Sequence, residues 1–158
     1  MKPWKSLLVL AALALVLPLA LQARGHGDPV LGTWTLNAAK STYDPGPAPR
    51  SSTSTSWTFA QTPDGIQLNV TANGETHTSS TFKLDGRPYP MRGGSAIDAH
   101  ALRRASRLEI KSNLMRAGQV VGHATILVAK NLKTMTVENR YTTPAGQSVH
   151  NVMVFDRQ

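Results

Sequence analysis

Short alternating segments separated by turn signals dominate this chain and restrict it to a β-rich fold. Residues 66–71 alternate between apolar and polar side chains, Asn73-Gly74 follows, and residues 75–84 continue as a second such segment, which we expect a turn at Asp85-Gly86 to end. An Asn-Gly pair between two alternating runs is the strongest short-range signal for a β-hairpin. After the N-terminal segment, no helical period continues over three turns, so long helices are not expected.

The same succession of strands and turns continues to the C-terminus. Turn-forming Pro and Gly residues stand at 63–65, 117–118 and 144–146, between further alternating runs. Connections this short join antiparallel neighbours. The sequence therefore predicts an all-β fold, an antiparallel up-and-down meander of about 8–10 strands that closes into a barrel. Closure also removes exposed strand edges, which are sites of aggregation.

One segment, 38–52, departs from this pattern. Pro45, Pro47 and Pro49 lack the backbone N–H that a strand ladder needs. We predict a Pro-rich crossover loop, with one helical turn at Ala38–Ser41. A second interpretation makes the loop a rim over the mouth of a cavity.

The N-terminus has the composition of an export signal. Lys2 and Lys5 precede an unbroken apolar run at 7–17, and small residues follow up to Ala23. Such a run is too short to span a bilayer but fits a signal peptide, which we place at 1–23. An uncleaved membrane anchor is the alternative. The prediction is a protein that is periplasmic or secreted.

The remaining chain is long enough for one core. We expect a flexible mature N-terminus at 24–30 and a single domain at 31–158. The absence of cysteine excludes disulfides, thiol catalysis and Cys-metal sites.

The formal net charge of +8 favours anionic partners, and in an exported protein these are envelope components. Arg103, Arg104 and Arg107 form the tightest basic cluster. No aromatic residues interleave with them, so nucleic acid is not an expected partner.

The segment 31–36, Leu-Gly-Thr-Trp-Thr-Leu, resembles the start of lipocalin and fatty-acid-binding-protein chains. Those families begin with Gly-x-Trp, here Gly32 and Trp34, and the Trp plugs the closed end of the barrel. The resemblance implies a lipocalin-like barrel in which a late-strand Arg, either Arg140 or Arg157, packs over Trp34. The second lipocalin signature, Thr-Asp-Tyr, is absent.

A closer resemblance joins residues 32–41 and 45–51 to a group of short secreted bacterial proteins that have been described as lipocalin-like. It implies the compartment and the fold class. It implies no activity.

Catalytic and metal sites find little support in the sequence. The carboxylates are scattered, and Gly93-Gly94-Ser95-Ala96 lacks the last Gly of a nucleophile elbow. We therefore predict that the protein is not an enzyme and that it has no cofactor. His123 and His150 are the weak candidates for a metal or haem site, because each lies in a late strand that is apolar on both sides.

A binding role suits this architecture better, because a small closed barrel can hold one ligand. We predict a monomer that binds a small apolar or amphipathic molecule, with arginines at the rim favouring an acidic head group. The alternatives are an envelope-associated interaction module acting through its basic surface and, third, a haem or metal-binding barrel. The predicted ligand-binding residues are Trp57, Phe59, Phe82, Tyr89, Arg87 and Arg92.

Overall fold

The computed structural model describes residues 27–46, 54–94 and 96–158. The predicted signal peptide at 1–23 and the centre of the Pro-rich loop lie outside these residues. Within the described ranges, no helix has the length and apolar character that crossing a membrane requires.

The fold consists of strands joined mainly by short turns, as the alternation of side chains predicts. A short 3₁₀ helix at Ala38–Lys40 follows the first strand, at the position of the expected helical turn. The strands are β1 (Gly32–Leu36), β2 (Thr42–Asp44), β3 (Ser56–Thr62), β4 (Gly65–Ala72), β5 (Glu75–Phe82), β6 (Asp85–Pro90), β7 (Ala99–Ser106), β8 (Glu109–Arg116), β9 (Gln119–Val128), β10 (Thr134–Thr142) and β11 (Ser148–Arg157).

Ten of these strands form an antiparallel meander that is nearly closed into a barrel. The first and last strands pair directly, so β1 lies between β3 and β11. The remaining gap lies between β5 and β6, where Ser79 and Arg92 exchange backbone hydrogen bonds of 3.1 and 2.8 Å. The Ser80 hydroxyl adds a 2.8 Å hydrogen bond to the carbonyl of Pro90. The predicted fold class is confirmed.

Two local predictions differ from the structure. Thr42–Asp44, inside the predicted crossover loop, pairs with β11 as a short strand. It can do so because it precedes Pro45 and keeps all its N–H groups. Asp85-Gly86 was expected to form a turn but begins β6. The pairing of β6 with β7 shifts register between Asp85 and Pro88, so Gly86 and Arg87 have no direct cross-strand partner.

The barrel end near residues 28–31 is filled by Trp34. Its side chain is fully buried, and Nε1 donates a 2.8 Å hydrogen bond to the carbonyl of Val30. The guanidinium of Arg157 lies over the indole, with Cζ 4.1 Å from the ring centroid. A side chain at Gly32 would collide with this guanidinium, because a Cβ there would lie 2.8 Å from Nη1 of Arg157. Gly32 also has a φ of +120°, which L side chains rarely adopt, so its backbone conformation and the nearby guanidinium together account for the glycine before Trp34.

The residues before β1 also pack against this end. Val30 is fully buried, and Asp28 forms an ion pair with Arg104 of β7. Residues 28–30 therefore differ from the flexible lead-in expected at 24–30. The reason is that Val30 supplies apolar bulk below Trp34, and the Asp28 carboxylate also accepts a hydrogen bond from the Val30 backbone.

Candidate ligand cavity

The barrel encloses a cavity of about 600 Å³. This volume lies within the range of small-molecule sites, roughly 300–1,000 Å³. The cavity extends to the loop between β6 and β7, at the end of the barrel opposite residues 28–31. Its walls come from both halves of the sheet and consist of Trp57, Phe59, Leu68, Val70, Thr78, Phe82, Met91, Gly93, Gly94, Ala96, Ile97, His100, Leu102, Ser112, Leu114, Ala124, Ile126, Val137, Asn139 and Tyr141.

The space exists because one row of inward positions carries small side chains. Ser112, Ala124 and Asn139 are direct cross-strand neighbours on β8, β9 and β10. The preceding row on the same three strands is Ile110, Ile126 and Val137, which are all buried. The change from branched apolar residues to small ones leaves the room that the cavity occupies.

Aromatic side chains form the opposite wall. The ring centroids of Trp57 and Phe59 are 6.2 Å apart, and Trp57 also packs at 5.0 Å against Phe155. Phe82 lies edge-on to the ring of His100, with 5.0 Å between centroids. Rings held in such tilted contacts present a fixed apolar surface to a ligand.

His100 is the buried histidine of the cavity wall, with only 4% of its surface exposed. Its Nε2 lies 2.8 Å from the Ser80 hydroxyl oxygen, and the single proton of that hydroxyl is donated to the Pro90 carbonyl. Nε2 must therefore carry a proton and donate to Ser80. The other ring nitrogen, Nδ1, is then a hydrogen-bond acceptor in the neutral imidazole.

Burial keeps this imidazole uncharged. Desolvation lowers the pKa of His100 from 6.5 to about 4, because the charged form loses its hydration inside the barrel. At neutral pH the cavity therefore holds a neutral histidine that is fixed in one tautomer.

Asn139 is the second distinctive polar group. Its Oδ1 is buried, and it is the buried side-chain oxygen or nitrogen that lacks a hydrogen-bond partner within the described part of the chain. Buried polar atoms are nearly always paired, so an acceptor left free beside a cavity is unusual.

The structure brings together three of the predicted ligand-binding residues. Trp57, Phe59 and Phe82 line the cavity. Tyr89 packs against the core but is not a lining residue, and its hydroxyl donates to Asp85 over 2.9 Å. Arg87 and Arg92 have exposed side chains and are likewise outside the lining.

His123 and His150 lie on the outer face of the barrel. They are separated by Arg140, which is the cross-strand partner of both. His123 bonds to Asn113 over 3.0 Å, and His150 lies 3.0 Å from the carboxylate of Glu138. Among residues 27–46, 54–94 and 96–158, no group of three or more His, Cys, Asp or Glu side chains is placed to hold a metal ion.

Sequence reasoning missed His100 and Asn139. The alternation indicated both, because each lies on the same face of its strand as a buried residue two positions away. This residue is Leu102 for His100 and Val137 for Asn139. The chain matches no protein-family profile, and a search of curated proteins finds no significant match.

Proposed function

We propose that this chain is an exported binding protein for a small apolar or amphipathic molecule, with a lipocalin-like mode of binding inside the barrel. The observation that carries the proposal is the cavity of about 600 Å³. A barrel acting only through its surface would gain stability from a filled interior, because each missing contact weakens the core.

The chemistry of the lining supports an apolar ligand. Most of the wall is aliphatic or aromatic, with the rings of Trp57, Phe59 and Phe82 on one side. Burial of apolar surface contributes about 25 cal/mol per Å². An alkyl or ring system inside the cavity would thus be held without any charged contact.

Export is supported by the N-terminal sequence. The basic and apolar segment at 1–23 has the order of a signal peptide.

Titration with N-phenyl-1-naphthylamine, an uncharged probe that fluoresces in apolar surroundings, tests the binding proposal. We expect saturable binding of one probe per chain. Ala124→Phe places a ring in the cavity and should abolish the signal, whereas Thr125→Phe, its neighbour on the outer face, should leave it unchanged. Absence of binding, or equal binding by both variants, would refute the proposal.

A second candidate function is contact with an anionic envelope component. An outer depression of about 320 Å³ is bordered by Arg103, Lys111 and His123. Arg103 forms no ion pair within the described residues. Co-sedimentation with anionic lipid vesicles, which Arg103→Ala should weaken, would favour this function if the barrel takes up no probe.

A further inference from the structure

We propose that the ligand enters and leaves the barrel laterally, through the gap between β5 and β6. This inference rests on the proposed binding function and adds the route by which the cavity is reached. The two edges of the gap are β5, with Ser79 and Ser80, and the end of β6, with Pro90 followed by Arg92.

Two prolines limit the backbone pairing across this gap. Successive N–H groups of a strand point to opposite neighbours. The N–H of Met91 donates toward β7, and that of Arg92 donates to Ser79 of β5. The positions that share the direction of Arg92 within β6 are Pro88 and Pro90, and proline has no N–H to donate. β6 therefore cannot donate a backbone hydrogen bond to β5 at either position.

A small set of hydrogen bonds keeps the gap shut. Ser79 and Arg92 exchange two backbone bonds, and the Ser80 hydroxyl donates to the carbonyl of Pro90. By contrast, the ladder between β10 and β11 runs along the whole of Thr134–Thr142. Few bonds have to break for the edges of β5 and β6 to part, so the wall opens here at a lower cost than between paired strands.

The cavity lies directly behind the gap. Thr78 and Phe82 of β5 line it on one side, and Met91 and His100 line it on the other. The barrel end near residues 28–31 offers no such path, because the fully buried Trp34 fills it. Separation of the two edges therefore brings an apolar molecule straight to the cavity wall.

A disulfide across the gap tests this route, and the chain has no cysteine of its own. Ser79→Cys and Arg92→Cys replace the two partners of a hydrogen-bonded antiparallel pair. The Cα atoms of such a pair lie about 5.5 Å apart, which a disulfide can span. Neither residue lines the cavity.

Stopped-flow fluorescence with N-phenyl-1-naphthylamine measures the entry and exit rates of the probe, before and after reduction with dithiothreitol. We expect the disulfide to slow both rates by about 10-fold or more, with Kd changed by less than about 3-fold, because a closed passage hinders entry and exit alike. Thr58→Cys with Asn69→Cys, direct partners in the ladder of β3 and β4, is the matched control. Its disulfide should leave both rates unchanged.

Pro90→Ala is an independent test should the double-cysteine variant not fold, as judged by circular dichroism. It supplies an N–H at the position opposite Thr81, in the register set by Ser79 and Arg92. We expect the added pairing to slow probe entry and exit by about 3-fold. Pro63→Ala, in the turn between β3 and β4, makes the same change away from the gap and should leave the rates unchanged.

The outcomes distinguish this route from the function on which it rests. Equal probe rates in the oxidised and reduced forms of the variant at 79 and 92, or equal slowing by the control disulfide, would overturn the lateral route and leave the binding function standing. Failure of the wild-type protein to bind the probe would overturn the binding function itself.

Discussion

The guanidinium of Arg157 covers the indole of Trp34 and joins the two ends of the folded chain. In addition to the 4.1 Å stacking contact, its nitrogens donate to the carbonyls of Leu132, Leu31 and Pro29 at 2.6, 2.8 and 2.6 Å. Burial lowers the pKa of Arg157 from its ordinary value; an arginine guanidinium nevertheless keeps its charge in proteins at neutral pH. Arg157, in the last strand, thereby connects Leu132, residues 29–31 and Trp34 at this end of the barrel.

Arg157→Met should destabilise the barrel by about 2–3 kcal/mol, because it leaves three carbonyls without a donor and removes the cation–π contact. Arg140→Met is the matched control. Arg140 is exposed and pairs with Glu138, so its loss should change stability by less than about 0.5 kcal/mol. Urea denaturation measures both; equal effects would contradict the assignment of Arg157 as the arginine that packs over Trp34.

His100 predicts a pH dependence of stability. Its folded pKa, about 4, lies below the ordinary 6.5, so the unfolded chain takes up a proton first as the pH falls. The free energy of unfolding should therefore decrease between about pH 6.5 and pH 4, by up to about 3 kcal/mol, with no further loss from this group below that window.

His100→Gln isolates this contribution, because the glutamine amide can donate to Ser80 but does not titrate. Carboxylates affect the wild type and the variant alike, so the difference between their urea midpoints reports His100. The wild type should lose more stability than the variant as the pH falls from 6.5 to 4. Parallel pH profiles would show that His100 is not buried in the neutral form.

The hollow interior predicts a stabilising substitution. Ala124→Leu would add apolar atoms to the cavity and should raise the free energy of unfolding by up to about 2 kcal/mol, from roughly 0.8 kcal/mol per buried methylene. Thr125→Leu, on the outer face of the same strand, should not stabilise to this extent. A loss of stability in Ala124→Leu would indicate that the barrel has no room at this position.

Export can be tested separately from binding. Leu13→Arg places a charge in the apolar run at 7–17 and should retain the protein in the cytoplasm of an expressing bacterium. Gln147→Arg, in an exposed turn, makes the same charge change outside the signal and should leave export intact. Cell fractionation followed by immunoblotting measures both, and export of Leu13→Arg would contradict the assignment of a signal peptide.

Local signals predicted most of the fold because each strand was bounded by its own turn. The bounds of β10, Thr134–Thr142, coincide with the alternating run. Turn residues such as Asn73-Gly74 set the connections, and Asn73 has the positive φ of 53° that this turn type needs. Alternation then placed Trp57, Phe59 and Phe82 inside.

The cavity residues were harder to predict, because their roles depend on partners that are distant in sequence. Ser80 and His100 meet across the gap between β5 and β6, which no local pattern encodes. Asn139 stands out only when its neighbours on adjacent strands are known to leave it without a partner. Likewise, both Arg140 and Arg157 fitted the late-strand position, and only the register shows that Arg157 reaches Trp34.

Native mass spectrometry on the protein purified from a bacterial periplasm without detergent shows whether the barrel carries a small molecule. We expect a co-purified molecule of a few hundred daltons that is lost on denaturation, or uptake of one 1-decanol per chain by the apo protein. An apo mass that stays unchanged after incubation with both 1-decanol and decanoate would contradict a small-molecule binding function.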